Sequence, residues 1–236
     1  MLCLAVLVGC GPAPSPAPQL RGDRFDPVRR LIGQRMRQHR IASLAIAVAQ
    51  DGHIVWEEAY GWADREKRIQ ATPRSVFALA SITKLMTATG LMVLVERGQV
   101  DLDRPVNDYL GPAKLTACVG RVEDATVRRM LRFTAGLPMQ ANLFFEDGSL
   151  RPPSMDESIR RYGIIVSEPS REYQYSNFAY GVLDQVIARV SAKSYAEFMR
   201  SEVFEPLGMT HTSVGIDSAL RQDVVQNYGP DGSPVS

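Results

Sequence analysis

From Leu85 to Val95 every residue is apolar or small and neutral. A segment of this length with no polar face, once helical, needs cover on most sides, so the rest of the chain has to be built around it. The predicted helix begins at Ser81, runs to about Arg97 and stops at Gly98, a residue suited to the left-handed conformation that ends helices. Its opening turn reads Ser81-Ile82-Thr83-Lys84. A Ser there lies in the positive field of the helix terminus, and its own N–H lacks an intrahelical acceptor, leaving it able to face a developing oxyanion. Lys84, three residues on, shares that face, so its ammonium can reach the Ser81 hydroxyl. The same four residues also describe an ordinary capped helix start. The apolar run behind them is what points to chemistry, because a long cation on a buried helix is uncommon without a specific partner or task. Burial would favour its neutral amine, which can serve as a base.

A second short string, Tyr175-Ser176-Asn177, stands in a predicted loop just before another helix. Asn177 can act there simply as a helix N-cap, and Tyr175 as a half-buried aromatic with a satisfied hydroxyl. A phenol beside an ammonium, however, ionises more easily than a free one, so Tyr175 and Lys84 are able to share a proton.

Around these strings the pattern is mixed. Ser43 to Gln50 reads as a short apolar strand, Asp51-Gly52 as a hairpin turn and His53 to Tyr60 as the returning strand. Helices are predicted over roughly Asp26 to Arg40, Ala125 to Arg132, Met155 to Tyr162, Phe178 to Val190 and Tyr195 to Val203. Asp101 to Leu110 reads as a polar connector and Asn142 to Pro153 as a loop, and after Thr212 the periodicity fades. Lys and Arg together number 27 against 26 for Asp and Glu, so no global field draws the chain to nucleic acid. The early arginines, Arg29, Arg30, Arg35, Arg37 and Arg40 among them, are expected to form a solvated helix face.

The N-terminus reads separately. Met1 to Gly9 is apolar, too short to span a bilayer, and runs into Cys10 through Leu7-Val8-Gly9, which resembles a bacterial lipobox in which that Cys is lipidated. No Lys or Arg precedes the apolar run. Gly11 to Pro18 is an extended Pro/Ala/Ser tether. This organises the chain as a leader over 1–10, a linker over 11–24 and a partial domain over 25–236. With Cys3 removed and Cys10 acylated, Cys118 is left alone and no intramolecular disulfide is possible.

Phe77 to Lys84, the helix behind it, and Gly98 to Leu110 together resemble the serine β-lactamase and DD-peptidase (penicillin-binding) superfamily, in its class C β-lactamase-related branch. Phe133-Thr134-Ala135-Gly136-Leu137-Pro138 is similar to that branch's His-Thr-Ser-Gly-Leu-Pro segment, with Phe133 where His is usual. Tyr173 to Asn177 matches its Tyr-x-Asn element, and Pro206-Leu207-Gly208-Met209 with Thr212 a further one. The resemblance implies an α+β fold of the β-lactamase/DD-peptidase type: an antiparallel sheet flanked by helices, plus a helical subdomain. It implies that Ser81 attacks an amide, β-lactam or ester carbonyl, that Lys84 and Tyr175 move its proton and later activate water, and that Asn177 positions the substrate amide. It also implies a small-molecule or peptide substrate, no cofactor, no metal, and a place in the bacterial cell envelope, membrane contact being through the lipid anchor alone. Phe133 reads as a packing substitution.

One family element is absent. The Lys/His-Ser/Thr-Gly motif, which lies on a late strand, binds the substrate carboxylate and brings the second oxyanion N–H, has no counterpart: Lys114-Leu115-Thr116 and His211-Thr212-Ser213 do not fit. In the family the two early strands join three late ones, and this chain is expected to lack the late strands as part of a longer product. Half an oxyanion hole would lower the rate by about two to three orders of magnitude. The alternative is a catalytically impaired envelope protein that binds peptidoglycan or a partner. A His-based hydrolase has no Gly-x-Ser-x-Gly elbow to support it and no partner in view for His39, His53 or His211, and a metalloenzyme has no ligand spacing.

Overall fold

The computed structural model describes residues 24–139, 152–229 and 231–235, so the leader, Cys3, Cys10, the linker up to Asp23 and most of the loop expected over Asn142 to Pro153 lie outside the described residues. The described chain forms two compact units: residues up to Ser75 together with Val225–Val235, and Val76–Val224.

In the first unit, helix α1 (Asp26–His39) packs on the hairpin of β1 (Ser43–Gln50) and β2 (His53–Asp64), with β3 (Ile69–Gln70) antiparallel to the end of β2. The two-residue turn is the expected one: Asp51 and Gly52 both have positive φ, 52° and 78°, and Gln50 pairs with His53. Phe25 stacks on Trp56 at 4.6 Å between ring centroids, and Ile32 completes the buried cluster. Arg29 departs from the expected solvated face. It forks onto Glu58 of β2 at 2.6–3.0 Å and lies 5.5 Å from the Trp56 ring, tying helix to sheet. The returning strand is longer than expected, reaching Asp64, because Gly61 lets it continue past a close approach: φ is +79° and an added Cβ would stand 2.1 Å from the Ala42 carbonyl oxygen.

The second unit is helical. Helix α2 (Thr83–Glu96) packs against α5 (Asn177–Ser191) and α6 (Tyr195–Met199), while α3 (Val127–Leu131) and α4 (Met155–Tyr162) also contact α5. Leu91, Leu94, Met130, Ile159, Leu183, Ile187 and Phe198 fill the core between them. A short parallel pair joins β4 (Thr116–Ala117) to β5 (Ile164–Ile165). Back in the first unit, β6 (Asn227–Tyr228) and β7 (Pro234–Val235) form a small hairpin.

Three expectations are adjusted. Cover of α2 is confined to one stripe: Thr87, Gly90, Leu91 and Leu94 are buried, whereas Leu85 is 71% exposed, because α5 and α6 pack along a single face. The helix expected over Ala125 to Arg132 shortens to α3, since a 3₁₀ turn at Val122–Asp124 precedes it and Thr126 caps it by accepting from Arg129 N–H. The helix expected over Tyr195 to Val203 changes at Arg200 to a π-helical turn, Arg200–Phe204. Cys118 is free and exposed.

Helix α4 begins in a full capping box: Glu157 N–H donates to Ser154 Oγ at 3.2 Å, and Ser154 N–H donates to Glu157 Oε2 at 2.8 Å. Ser154→Ala is expected to destabilise the protein by about 1 kcal/mol, lowering Tm by about 2–4 °C in a calorimetric scan. An unchanged Tm would show that the cap contributes nothing.

Candidate active site

Ser81 stands in a 3₁₀ turn, Ala80–Ile82, that runs directly into α2, rather than in the first turn of the α-helix itself. The residue before it, Ala80, is held at φ 45°, a left-handed conformation that costs a non-glycine residue about 1–2 kcal/mol and is typical of sites that aim a side chain. Ser81 is exposed, and its N–H makes no hydrogen bond among the described residues, as the sequence led one to expect.

Lys84 Nζ lies 3.3 Å from Ser81 Oγ, the proximity that the i, i+3 spacing implies. The same Nζ donates to Asn177 Oδ1 at 2.7 Å. Tyr175 OH donates to Ser81 Oγ at 2.7 Å, and Lys84 Nζ sits 4.8 Å from the Tyr175 ring centroid and 5.8 Å from that of Tyr180. Residues separated by more than ninety positions in the chain thus share one hydrogen-bonded cluster. Its charge has a clear electrostatic effect. The Lys84 ammonium, and after it the Ser81 hydroxyl, hold the Tyr175 phenol below its usual range.

The capping role that Asn177 was able to fill goes to its neighbour. Ser176 accepts from Ala179 N–H at 3.0 Å and donates to the Pro138 carbonyl at 2.8 Å. Asn177 becomes the first residue of α5, and its Oδ1 is spent on Lys84 while the Nδ2 amide has no partner among the described residues. The arrangement can therefore activate one hydroxyl, shuttle a proton between phenol and ammonium, and present an amide N–H to a carbonyl oxygen.

Phe133 packs as expected, but into a larger cluster. At φ 58° its ring meets Tyr175 at 4.8 Å, Tyr180 at 5.2 Å and Tyr173 at 5.6 Å between centroids. Tyr180, which the sequence reading passed over, was recoverable from its position three residues after Asn177 on the same helix face. The two strings compared with the missing motif lie elsewhere: Lys114 Nζ donates to the Asn107 carbonyl, and His211 Nδ1 stands 3.0 Å from Thr210 Oγ1. No group of His, Cys, Asp and Glu able to hold a metal occurs among the described residues, and no described helix is long and apolar enough to cross a membrane.

A serine with a lysine one turn behind it, a tyrosine on its hydroxyl and an asparagine on the lysine, carried on a helical unit, is consistent with the serine β-lactamase and DD-peptidase superfamily. The chain belongs to the Beta-lactamase family, whose model matches residues 28–236. Protein flp of Staphylococcus aureus (strain N315) is 26% identical over 199 residues, covering 83% of this chain and 39% of that protein. Among solved structures, an octameric penicillin-binding protein homologue from Pyrococcus abyssi superposes with a TM-score of 0.74 at 25% identity, over 90% of this chain and 50% of that one. The D-alanine carboxypeptidase AmpC from Burkholderia cenocepacia gives 0.72 at 26% identity, over 89% and 56%. The chain thus spans about two fifths to somewhat over half the length of these relatives.

Proposed function

We propose that this chain carries the acylation machinery of a serine hydrolase acting on amide, β-lactam or ester carbonyls through an acyl-enzyme. The observation that carries the reading is the Ser81 hydroxyl held by Tyr175 at 2.7 Å and by Lys84 at 3.3 Å. With the phenol ionised beside the ammonium, the 2.7 Å line takes the Ser81 proton to Tyr175 as Oγ bonds to the carbonyl carbon. The Ser81 N–H faces the oxyanion. As the tetrahedral adduct collapses, Tyr175 returns the proton to the departing amine or alkoxide, and the carbonyl–leaving-group bond breaks. A water molecule, deprotonated by the same pair, then adds to the acyl carbon, and the bond from that carbon to Oγ breaks as Tyr175 hands the proton back to Ser81. Asn177 Nδ2 binds the substrate's amide oxygen, its Oδ1 being fixed on Lys84.

Family membership and the relatives' names support an acyl substrate, and the Burkholderia cenocepacia protein's name favours a peptide ending in D-alanine. The lipobox-like Leu7 to Cys10 supports a lipid-anchored protein of the bacterial envelope, facing the periplasm or exterior. The test is incubation of the native gene product with a fluorophosphonate and, separately, a β-lactam, followed by intact-mass and peptide-mass measurement. One adduct per chain, mapped to Ser81 and missing from Ser81→Ala, is expected. Labelling that survives in that variant would remove Ser81 as nucleophile, and no labelling of the parent would favour the impaired, binding-only envelope protein.

A further inference from the structure

Outside the acylation site, the second unit contains an open cleft of about 600 Å³ whose wall includes Arg128, Arg129, Arg132, Thr134 and Ser170. We propose that it binds a small oxyanion, a carboxylate or a phosphate, with Arg132 as the charged anchor. The lining carries three arginines and three carboxylates, and what decides is which of them are paired. Each carboxylate already faces a cation. Asp103 is gripped by Arg128 at 2.7 and 2.8 Å, Asp124 lies 3.7 Å from Arg129 and Glu123 lies 3.6 Å from Arg121. Arg128 holds the Asp103 carboxyl below its ordinary range, so that pair stays ionised and closed to other ligands at neutral pH. Arg129 is occupied further by donating to the Asp124 carbonyl.

Arg132 is the cation left over. It follows α3 directly as the helix's C-terminal cap residue, and its guanidinium has no hydrogen bond or ion pair among the described residues. The hydroxyls of Thr134 and Ser170 are likewise without partners there, and the two residues are joined by Ser170 N–H donating to the Thr134 carbonyl at 2.8 Å. A planar guanidinium with two unspent hydroxyls on the same wall suits an oxyanion, which accepts from all three.

The cleft also adjoins the backbone that carries the acylation site. Phe133 lies between Arg132 and Thr134 in sequence, turns its ring onto Tyr175, and accepts from Gln174 N–H at 2.8 Å through its carbonyl. The proposal does not depend on the hydrolase reading, because none of its residues touches Ser81.

An NMR titration of the full chain with inorganic phosphate and with acetate, at constant ionic strength, tests it. Saturable shifts at the amides of Arg132, Thr134 and Ser170 are expected, with a Kd on the order of 1 mM for one exposed arginine. Arg132→Ala should weaken binding at least tenfold and Thr134→Val measurably, while Ser81→Ala should bind as the parent does. Tighter acetate binding identifies a carboxylate ligand, and tighter phosphate binding a phosphate. Shifts that stay linear for both anions, or that persist in Arg132→Ala, overturn the proposal.

Discussion

Replacing Lys84 by Ala is expected to slow acylation of Ser81 by about three orders of magnitude, within the range that positioned acid–base groups supply. Three contacts vanish together: 3.3 Å to Ser81 Oγ, 2.7 Å to Asn177 Oδ1, and the charge 4.8 Å from the Tyr175 ring. The last matters most for proton transfer. The ammonium holds the Tyr175 phenol below its usual range, and without it the phenolate fraction at neutral pH falls. The parent's labelling rate should therefore rise with pH through a midpoint below that of free tyrosine, whereas in Lys84→Ala the midpoint should move up toward about 10. Alanine is a good helix former, so α2 should persist, and far-UV circular dichroism would verify this. Quenched-flow mass spectrometry with a fluorophosphonate measures the rates. A variant that labels within tenfold of the parent would make Lys84 a spectator.

The stability of the fold should fall as pH rises from about 5 to 8, and Asp184→Asn should remove most of that slope. Asp184 lies on α5 with Oδ1 shut off from water and without a hydrogen-bond partner among the described residues, and burial pushes its carboxyl up to about 7. A folded-state value above the unfolded one, about 3.9, means that the native state binds the extra proton between them. Stability is therefore fully present below about pH 4 and is lost as pH rises through 7, by roughly 4 kcal/mol at 1.36 kcal/mol per unit.

Glu58 and Glu202 run the other way. Their arginine and lysine partners hold them down at about 2, so whatever they contribute is lost only as pH falls below the ordinary carboxylate range. The window from pH 5 to 8 thus separates Asp184 from these two. Urea unfolding at intervals across it would measure the slope. A flat parent curve, or an equal slope in Asp184→Asn, would assign Asp184 no part in it.

Much of the fold was legible because it rests on local rules. The Asp51-Gly52 turn needs two positive φ values and received them, and the β1 boundaries matched to the residue. Helices α1 and α4 followed apolar spacing, and α4 also carried its own cap. Of the site, the Ser81–Lys84 pair was visible because an i, i+3 spacing on a helix dictates proximity. Elements that depend on neighbours distant in sequence were not legible. The β4–β5 pair joins residues almost fifty apart, and two-residue strands carry no periodic signal.

The sequence by itself determined the candidate nucleophile and the cation behind it, since these follow from spacing along one helix, while the resemblance of its motifs implied the kind of fold. Tertiary structure decided which of two adjacent residues capped α5. Ser176 takes the cap because its hydroxyl also reaches the Pro138 carbonyl, and this releases Asn177 to Lys84. It decided that Phe133 joins three tyrosines around the site, and that Asp184 Oδ1 is shut off from water with no partner among the described residues. It also decided which of four arginines near one cleft has no ion pair among the described residues. The physical reason is the same in each case. Local propensity depends on residues a turn apart, whereas burial and charge balance depend on whichever surfaces folding brings into contact.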